Sequence, residues 1–238
     1  MDVRRVGGCF AVGALLALGA QAQENLVRNP GFDETDASGA TVGWSDVKPV
    51  YRFADGVGRN GSRGLAFENS DPEFYSFPSQ AIRLEPGCCY AVEVWVKTEN
   101  LVGDESGATV CLEWSGPDGQ WIGGAYPDGL RGTTDGWKKI QGFTRALPTN
   151  ATHVVIHPYV RRGMTGKAWF DDLKVTRYYP PLVSTVSASC YRGTAADGEV
   201  TFRAGLTLRS AGVKVGDVDG SFAFVSADGK TVRTSKPD

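Results

Sequence analysis

The chain has 238 residues and a nearly balanced charge, with 25 Lys and Arg against 27 Asp and Glu. It contains no basic run or stripe, so its composition argues against nucleic acid as a partner. Frequent glycine (31) and proline (12), with short Val-, Trp- and Tyr-containing runs between turns, favour an all-β chain. The length suffices for one β-sandwich and part of a second domain.

Residues 1–22 have the features of a signal peptide. Two arginines at positions 4 and 5 precede an apolar run from Phe10 to Leu18, and the segment Ala20-Gln21-Ala22 matches a small-x-small cleavage site. The apolar run is too short to span a bilayer, and no later stretch is long and apolar enough. The sequence therefore predicts a secreted or periplasmic protein without a membrane span.

Strands are predicted wherever apolar residues alternate between turn signals. The glycine-rich segment 58–67 is interpreted as a turn that feeds a strand, because no GKS or GKT and no helix follows it. Trp121 and Tyr126 are assigned to a long connecting loop at the rim, and such rim loops often carry recognition residues. Phe143 is assigned to the core. The other predicted strands are 50–53, 74–84, 88–97, 108–114, 137–147, 152–161 and 167–178.

Several predicted strands carry polar and aromatic residues opposite their apolar face. In CCYAVEVWVK, Glu93 and Trp95 lie on the face opposite Val92 and Val94. In the strand 108–114, Glu113 and Cys111 likewise lie on the face opposite the apolar residues. The strand 152–161 places both histidines of the protein on its polar side, with Tyr159 and Arg161. His153 and His157 are too far apart along an extended strand to bind one metal ion alone.

The segment KAWFDDLKVTRY, residues 167–178, reads as the closing strand of the sandwich. Trp169, Leu173 and Val175 alternate on one face, and Asp171 is in phase with them, so we expect its carboxylate to point inward. A buried carboxylate is costly unless a cation or several donors satisfy it. Asp33, in NPGFD, is the expected partner, because the first and last strands of a sandwich often lie side by side.

Four cysteines remain after the leader is removed, at positions 88, 89, 111 and 190. An oxidising compartment permits disulfides, and either an adjacent 88–89 bridge or a bridge from one of these two to Cys111 is possible. No cysteine or histidine spacing supports a zinc site.

The sequence changes character after Tyr178. Residues 179–181 form a stiff Tyr-Pro-Pro linker, and 182–238 hold strand-like runs at 201–208 and 221–225 and a hairpin signal at Asp228-Gly229. These residues are too few for a closed sandwich, so we expect an incomplete, Ig-like second β-domain of a longer protein.

The succession of NPGFD, Gly61-Ser62, EPGCCYAVEVWVK, GWKKIQGF and KAWFDDLKV resembles bacterial carbohydrate-binding modules. The similarity is to the jelly-roll modules of xylanases and laminarinases, which have a galactose-binding-like fold, and it covers about residues 24–178 of the expected domain 23–178. It implies a two-sheet jelly-roll β-sandwich with a structural calcium ion held by Asp33 and Asp171. Backbone oxygens near Gly61 would complete the calcium site, with Asp172 as the reserve ligand.

The same resemblance implies a glycan groove on one sheet, provided that the contributing strands share that sheet. Sugar rings present apolar faces ringed by hydroxyls, so a site needs flat aromatic rings beside hydrogen-bonding groups. The residues expected to line this groove are Glu93, Trp95, Glu113, His157 and Tyr159.

The function expected is non-catalytic binding of a polysaccharide or oligosaccharide by a monomeric module, N-terminal in a larger secreted glycoside hydrolase. A secreted adhesion module that binds protein is the first alternative, and a catalytic sandwich glycosidase using Glu93 and Glu113 is the second. Lys97 and Arg161 would keep both carboxylates ionised, which argues against the acid–base role.

Overall fold

The computed structural model describes residues 24–46, 48–180, 183–188, 202–206, 222–225 and 230–235. The predicted signal peptide, Cys190, the Asp228-Gly229 turn and most of the predicted second domain lie outside these residues. The described residues contain no helix that is long and apolar enough to cross a bilayer.

The described secondary structure is almost entirely β-strand, with one short 3-10 turn at Arg59–Gly61. In chain order, the strands are β1 (Tyr51–Ala54), β2 (Gly64–Asn69), β3 (Gln80–Ile82), β4 (Cys89–Val102), β5 (Ala108–Ser115), β6 (Trp121–Ala125), β7 (Lys138–Phe143), β8 (His153–Val160), β9 (Thr165–Tyr178), β10 (Val183–Ala188), β11 (Phe202–Leu206), β12 (Phe222–Val225) and β13 (Thr231–Ser235).

The first nine strands form two antiparallel sheets. One has five strands in the order β1-β2-β9-β4-β7, and the other has four in the order β3-β8-β5-β6. Strands β10 and β11 form a separate antiparallel pair, as do β12 and β13. The prediction of an all-β chain with a β-sandwich is therefore confirmed.

The period-two pattern explains how the two sheets bury a common core. Val92 and Val94 of β4 are fully buried, and they belong to the same apolar cluster as Val110 and Leu112 of β5. The residues that alternate with them lie on the outer faces of the sheets. The strands thus bring Glu93 and Trp95 to one outer surface and Glu113 to the other.

The N-terminal segment lies beside the last long strand, as the sequence predicted. The backbone N–H of Leu26 donates to the Val175 carbonyl at 2.9 Å, and that of Leu173 donates to the Pro30 carbonyl at 3.0 Å. These bonds bring the NPGFD segment next to the middle of β9.

A register shift in the middle of β9 changes which residues face the core. Trp95 pairs with Asp171 and Glu93 with Lys174, so β9 has an extra residue there, and Asp172 has φ of +48°. Phe170 and Leu173 are both in the core, which leaves Trp169 on the outer side. The prediction that Trp169 shares a face with Leu173 is wrong, because the bulge inverts the alternation.

Other local predictions also differ from the structure. Residues 121–125 form a strand rather than part of a loop, and Phe143 is 51% exposed because Ile140 takes the inward position of β7. Cys111 has a free thiol on the outer side of β5, so the bridge to Cys88 or Cys89 is not formed.

Candidate functional site

The five residues predicted to line one groove lie on two different sheets. Glu93 and Trp95 are on β4 of the five-stranded sheet, whereas Glu113 is on β5 and His157 and Tyr159 are on β8 of the four-stranded sheet. Because each residue alternates with core residues, the two groups face outward on opposite sides of the sandwich. The single groove does not form, because its condition, that the strands share a sheet, is not met.

Both Trp95 and Glu93 are already in contact with neighbouring side chains. The Arg59 guanidinium lies 3.8 Å from the centroid of the Trp95 ring and forms an ion pair with Asp172. Glu93 accepts hydrogen bonds from Gln141 Nε2 at 2.6 Å and Lys139 Nζ at 3.4 Å. A planar guanidinium on the indole occupies the position that a sugar ring would need.

The outer side of the four-stranded sheet holds a denser group of aromatic and polar side chains. We call this surface the aromatic face, and it consists of Tyr75, Phe77, Glu113, Trp121, Tyr126, His157, Tyr159 and Arg161. Trp121 is 60% exposed, Tyr75 48% and Tyr126 39%. Tyr159 is only 2% exposed and lies under Phe77, with their ring centroids 5.4 Å apart. Tyr159 therefore forms the floor of this face and does not present its ring to solvent.

A chain of hydrogen bonds connects two of the exposed aromatic residues to a carboxylate. Trp121 Nε1 donates to the Tyr126 hydroxyl at 3.0 Å, and this hydroxyl donates to Glu113 Oε1 at 2.7 Å. The remaining oxygen of Glu113 is left for other partners. Burial and the Glu113 carboxylate both raise the pKa of Tyr126, so its hydroxyl stays protonated.

Gly124 makes this arrangement possible. It lies directly opposite Glu113 in the β5–β6 pair, and a Cβ at this position would come within 2.5 Å of the Tyr126 hydroxyl. The missing side chain leaves the space through which the Tyr126 ring reaches across β6 to Glu113.

His157 is oriented by the segment that precedes β3. Its Nδ1 lies 3.2 Å from the Pro78 carbonyl, which only accepts, so the proton is on Nδ1. Burial lowers the pKa of His157, although the Pro78 hydrogen bond and Glu113 partly oppose this. The neutral ring then turns an unprotonated Nε2 towards Glu113 Oε2, 3.8 Å away. Two acceptors thus lie side by side, with no ion pair at neutral pH.

The sequence analysis leaves the binding role of Trp121 and Tyr126 open and does not predict that they share a face with Glu113. Gly123 and Gly124 interrupt the alternation that marks a strand, so residues 121–125 read as loop. A signal for this strand was present in the segment Gly116-Pro117-Asp118-Gly119. Pro and Gly in a short connection after a strand favour a hairpin, and a hairpin requires a second strand after the turn.

The predicted calcium ligands lie near each other at the N-terminal segment. Asp171 is 1% exposed, and its Oδ2 accepts hydrogen bonds from the Arg59 N–H at 2.6 Å and the Ser62 hydroxyl at 3.0 Å. A Cβ on Gly31 would be 2.9 Å from Asp33 Oδ2 and 3.5 Å from Asp171 Oδ1. Burial raises the pKa of Asp171, while the Arg59 and Asp172 N–H groups oppose it. Asp171 is thus buried by the turn at 58–62.

The residues predicted to bind calcium bring two carboxylates close together. No group of three or more His, Cys, Asp or Glu residues suited to a metal occurs in the described part of the chain. Two carboxylates face the same space beside Gly31, while Asp172 pairs with Arg59. Calcium is bound by six to eight oxygen atoms, so carbonyl and water oxygens would have to supply the ligands that the two carboxylates do not.

Comparison with known proteins finds similarity in solved structures alone. No protein-family model matches the chain, and no curated protein matches it in sequence. One match is a structure of the N-terminal endo-1,4-β-D-xylanase 10B of Clostridium thermocellum, which contains the CBM22-1 and GH10 modules in complex with xylohexaose. Its sequence is 16% identical to this chain, and the TM-score is 0.46. The match covers 65% of this chain and 29% of that one.

Several separate modules match over nearly their whole length. The CBM22-2 xylan-binding domain of Paenibacillus barcinonensis Xyn10C is 15% identical with a TM-score of 0.45, covering 63% of this chain and 98% of that domain. A family 16 carbohydrate-binding module is 15% identical with a TM-score of 0.43, covering 64% and 99%. At this level of similarity, neither a ligand nor a binding residue of the present chain follows from these structures.

Proposed function

We propose that this chain binds a polysaccharide or oligosaccharide without chemically changing it, and that the aromatic face is the binding surface. The observation that carries the proposal is the hydrogen-bonded series Trp121–Tyr126–Glu113, which places two exposed rings beside an oriented carboxylate. Rings of this kind cover the apolar face of a sugar, and the carboxylate accepts hydrogen bonds from its hydroxyls.

Glu113 and His157 have the same role in this proposal, as acceptors of hydrogen bonds from the ligand. Glu113 Oε2 and His157 Nε2 are neighbouring acceptors, 3.8 Å apart, and neither has a donor within the described residues. Two adjacent sugar hydroxyls that each donate one hydrogen bond would satisfy both. A partly buried acceptor without a hydrogen-bond donor is unfavourable, so a ligand that donates to both atoms would gain binding free energy.

The proposed role is not catalytic, because the two carboxylates considered for catalysis are separated by the sandwich. Glycosidases hold their carboxyl pair about 5 to 9.5 Å apart across one bond. Glu93 and Glu113 point away from each other on the outer faces of sheets that themselves pack roughly 10 Å apart. This pair cannot act on one glycosidic bond.

We further propose that calcium binds between Asp33 and Asp171 and stabilises the N-terminal segment against β9. The support is the convergence of the two carboxylates on the space beside Gly31. Calcium would cross-link residue 33 to residue 171, and it would leave the aromatic face unchanged.

The remaining parts of the proposal come from the sequence. The features of residues 1–22 support export, and we propose a monomeric module that works as an accessory to a secreted glycoside hydrolase.

The proposal is tested with the purified chain on insoluble xylan, β-1,3-glucan, cellulose and pectin in pull-down assays, followed by calorimetry on soluble forms. Binding to at least one polysaccharide, without release of reducing sugar, is the expected result. Failure to bind any polysaccharide, combined with capture of a protein ligand, would favour the adhesion function instead.

A further inference from the structure

Arg161 is the one strongly basic side chain of the aromatic face. Its guanidinium carbon is 5.5 Å from the Tyr159 ring centroid and 5.8 Å from that of Tyr126. Tyr159 is buried and Tyr126 is partly exposed, so the arginine lies between the floor of the face and its exposed edge. Both rings are within cation–π distance of the guanidinium, which favours this orientation of the side chain.

The hydrogen-bonding groups of this guanidinium are unused within the described residues. Nε is buried and has no partner there, and the two Nη atoms form no hydrogen bond or ion pair with any described residue. Arg63 also has a buried, unpartnered Nε, but its Nη1 pairs with Asp55 at 2.8 Å. An arginine held in place without a carboxylate is unusual, because buried donors normally find a partner.

The neighbouring arginine offers a direct contrast. Arg162, the next residue in the chain, forms an ion pair with Glu73 at 2.8 Å, and both side chains are largely exposed. Glu113, the carboxylate of the aromatic face, is engaged by Tyr126 and forms no ion pair with Arg161. Arg161 is therefore held ready for an anion that the described residues do not supply.

We infer that the glycan bound by this face carries uronic acid, whose carboxylate pairs with Arg161. This inference rests on the proposed function and names the class of glycan. The planar guanidinium fork matches a carboxylate in a bidentate manner, which a sugar hydroxyl cannot do. The neutral part of the ligand would lie over Trp121 and Tyr126, and its acidic substituent would extend towards the end of β8.

The test uses one polysaccharide in two forms, a xylan substituted with glucuronic acid and the same xylan after its carboxyl groups have been reduced to alcohols. Calorimetry on the wild-type protein should show about tenfold to a hundredfold tighter binding of the acidic form. The difference should shrink at high salt, because part of the attraction between exposed charges is screened.

Three variants identify the residue. Arg161→Met keeps a long side chain but removes the charged fork, and it should abolish the difference between the two xylans. Arg161→Lys keeps the charge without the fork and should retain only part of it. Arg162→Met is the matched control and should behave as the wild type. Thermal unfolding of each variant verifies that it is folded.

Equal affinity of the wild-type protein for the two xylans would overturn the inference while leaving the proposed function intact. An undiminished preference in Arg161→Met would overturn it as well. If the protein bound neither these xylans nor any other polysaccharide, the proposed function itself would fail.

Discussion

The Tyr126 hydroxyl donates a 2.7 Å hydrogen bond to Glu113, although the two residues are on different sides of the Gly-Pro-Asp-Gly turn that joins β5 to β6. The bond ties an exposed ring to a carboxylate that faces solvent, and Gly124 provides the space for it. The binding surface is therefore organised by the hairpin β5–β6.

Tyr126→Phe should weaken glycan binding about fivefold with little change in stability. The variant keeps the ring but removes the donor to Glu113 and the acceptor of Trp121, a loss of about 1 kcal/mol for a partly exposed pair. Calorimetry with the best polysaccharide from the pull-down measures the effect. Tyr179→Phe, which lies outside the aromatic face, is the control and should leave affinity unchanged. Identical affinities for wild type and Tyr126→Phe would show that the hydrogen bond does not matter for binding.

Two adjacent glycines should respond in opposite ways to substitution by alanine. In Gly124→Ala, the new Cβ displaces the end of the flexible Tyr126 side chain, so binding should fall while the melting temperature changes little. In Gly123→Ala, the Cβ would come within 2.7 Å of the Trp114 indole, which belongs to the core, so stability should fall by about 1–3 kcal/mol. Denaturant unfolding and calorimetry on both variants separate the two effects. Loss of stability in Gly124→Ala with intact binding would be the contrary result.

The sequence predicted the sandwich well because its strands have clear alternation. The valines of CCYAVEVWVK and the residues around Leu112 follow period two, and both strands are buried on the expected side. The sequence does not predict which strands share a sheet, because alternation shows which side of a strand is polar but not which strand lies next to it. The sequence pattern therefore predicts one groove for Trp95 and Glu113, although the core separates them.

The parts of the site that sequence analysis missed depend on contacts between distant residues. The inversion of phase at Asp171 comes from a bulge, whose existence is decided by pairing with β4. Arg59 covers Trp95 from a turn 36 positions earlier in the chain, and no local pattern indicates such a contact.

Acidification should destabilise the protein through His157. The pKa of His157 in the folded chain is lowered by burial, so the unfolded chain takes up the proton at higher pH than the folded one does. The free energy of unfolding should accordingly fall as pH drops below about 6.5, until the folded-state pKa has been passed. His157→Gln keeps a donor for Pro78 and should have a shallower pH dependence, measured by denaturant unfolding across this range. A pH dependence in His157→Gln as steep as in the wild type would contradict the assignment.

Calcium removal should lower the melting temperature if Asp33 and Asp171 bind the ion. Calcium at a hundred times its Kd would add about 2.7 kcal/mol to the free energy of unfolding. Thermal unfolding with calcium and with an excess of chelator measures this difference. Asp33→Asn should remove the response, whereas Asp172→Asn, which loses only the partner of Arg59, should keep it. An unchanged midpoint for the wild type after complete calcium removal would exclude a stabilising calcium site.

The placement of the binding surface is tested most directly by comparing Trp121→Ala with Trp95→Ala in the same calorimetric titration. Covering one side of an indole removes about 80 Å² of apolar surface from water, worth about 2 kcal/mol or roughly thirtyfold in affinity. We predict that Trp121→Ala loses binding on this scale, while Trp95→Ala, on the opposite sheet and under Arg59, binds as the wild type. Full binding by Trp121→Ala together with loss in Trp95→Ala would place the glycan on the five-stranded sheet and contradict the account.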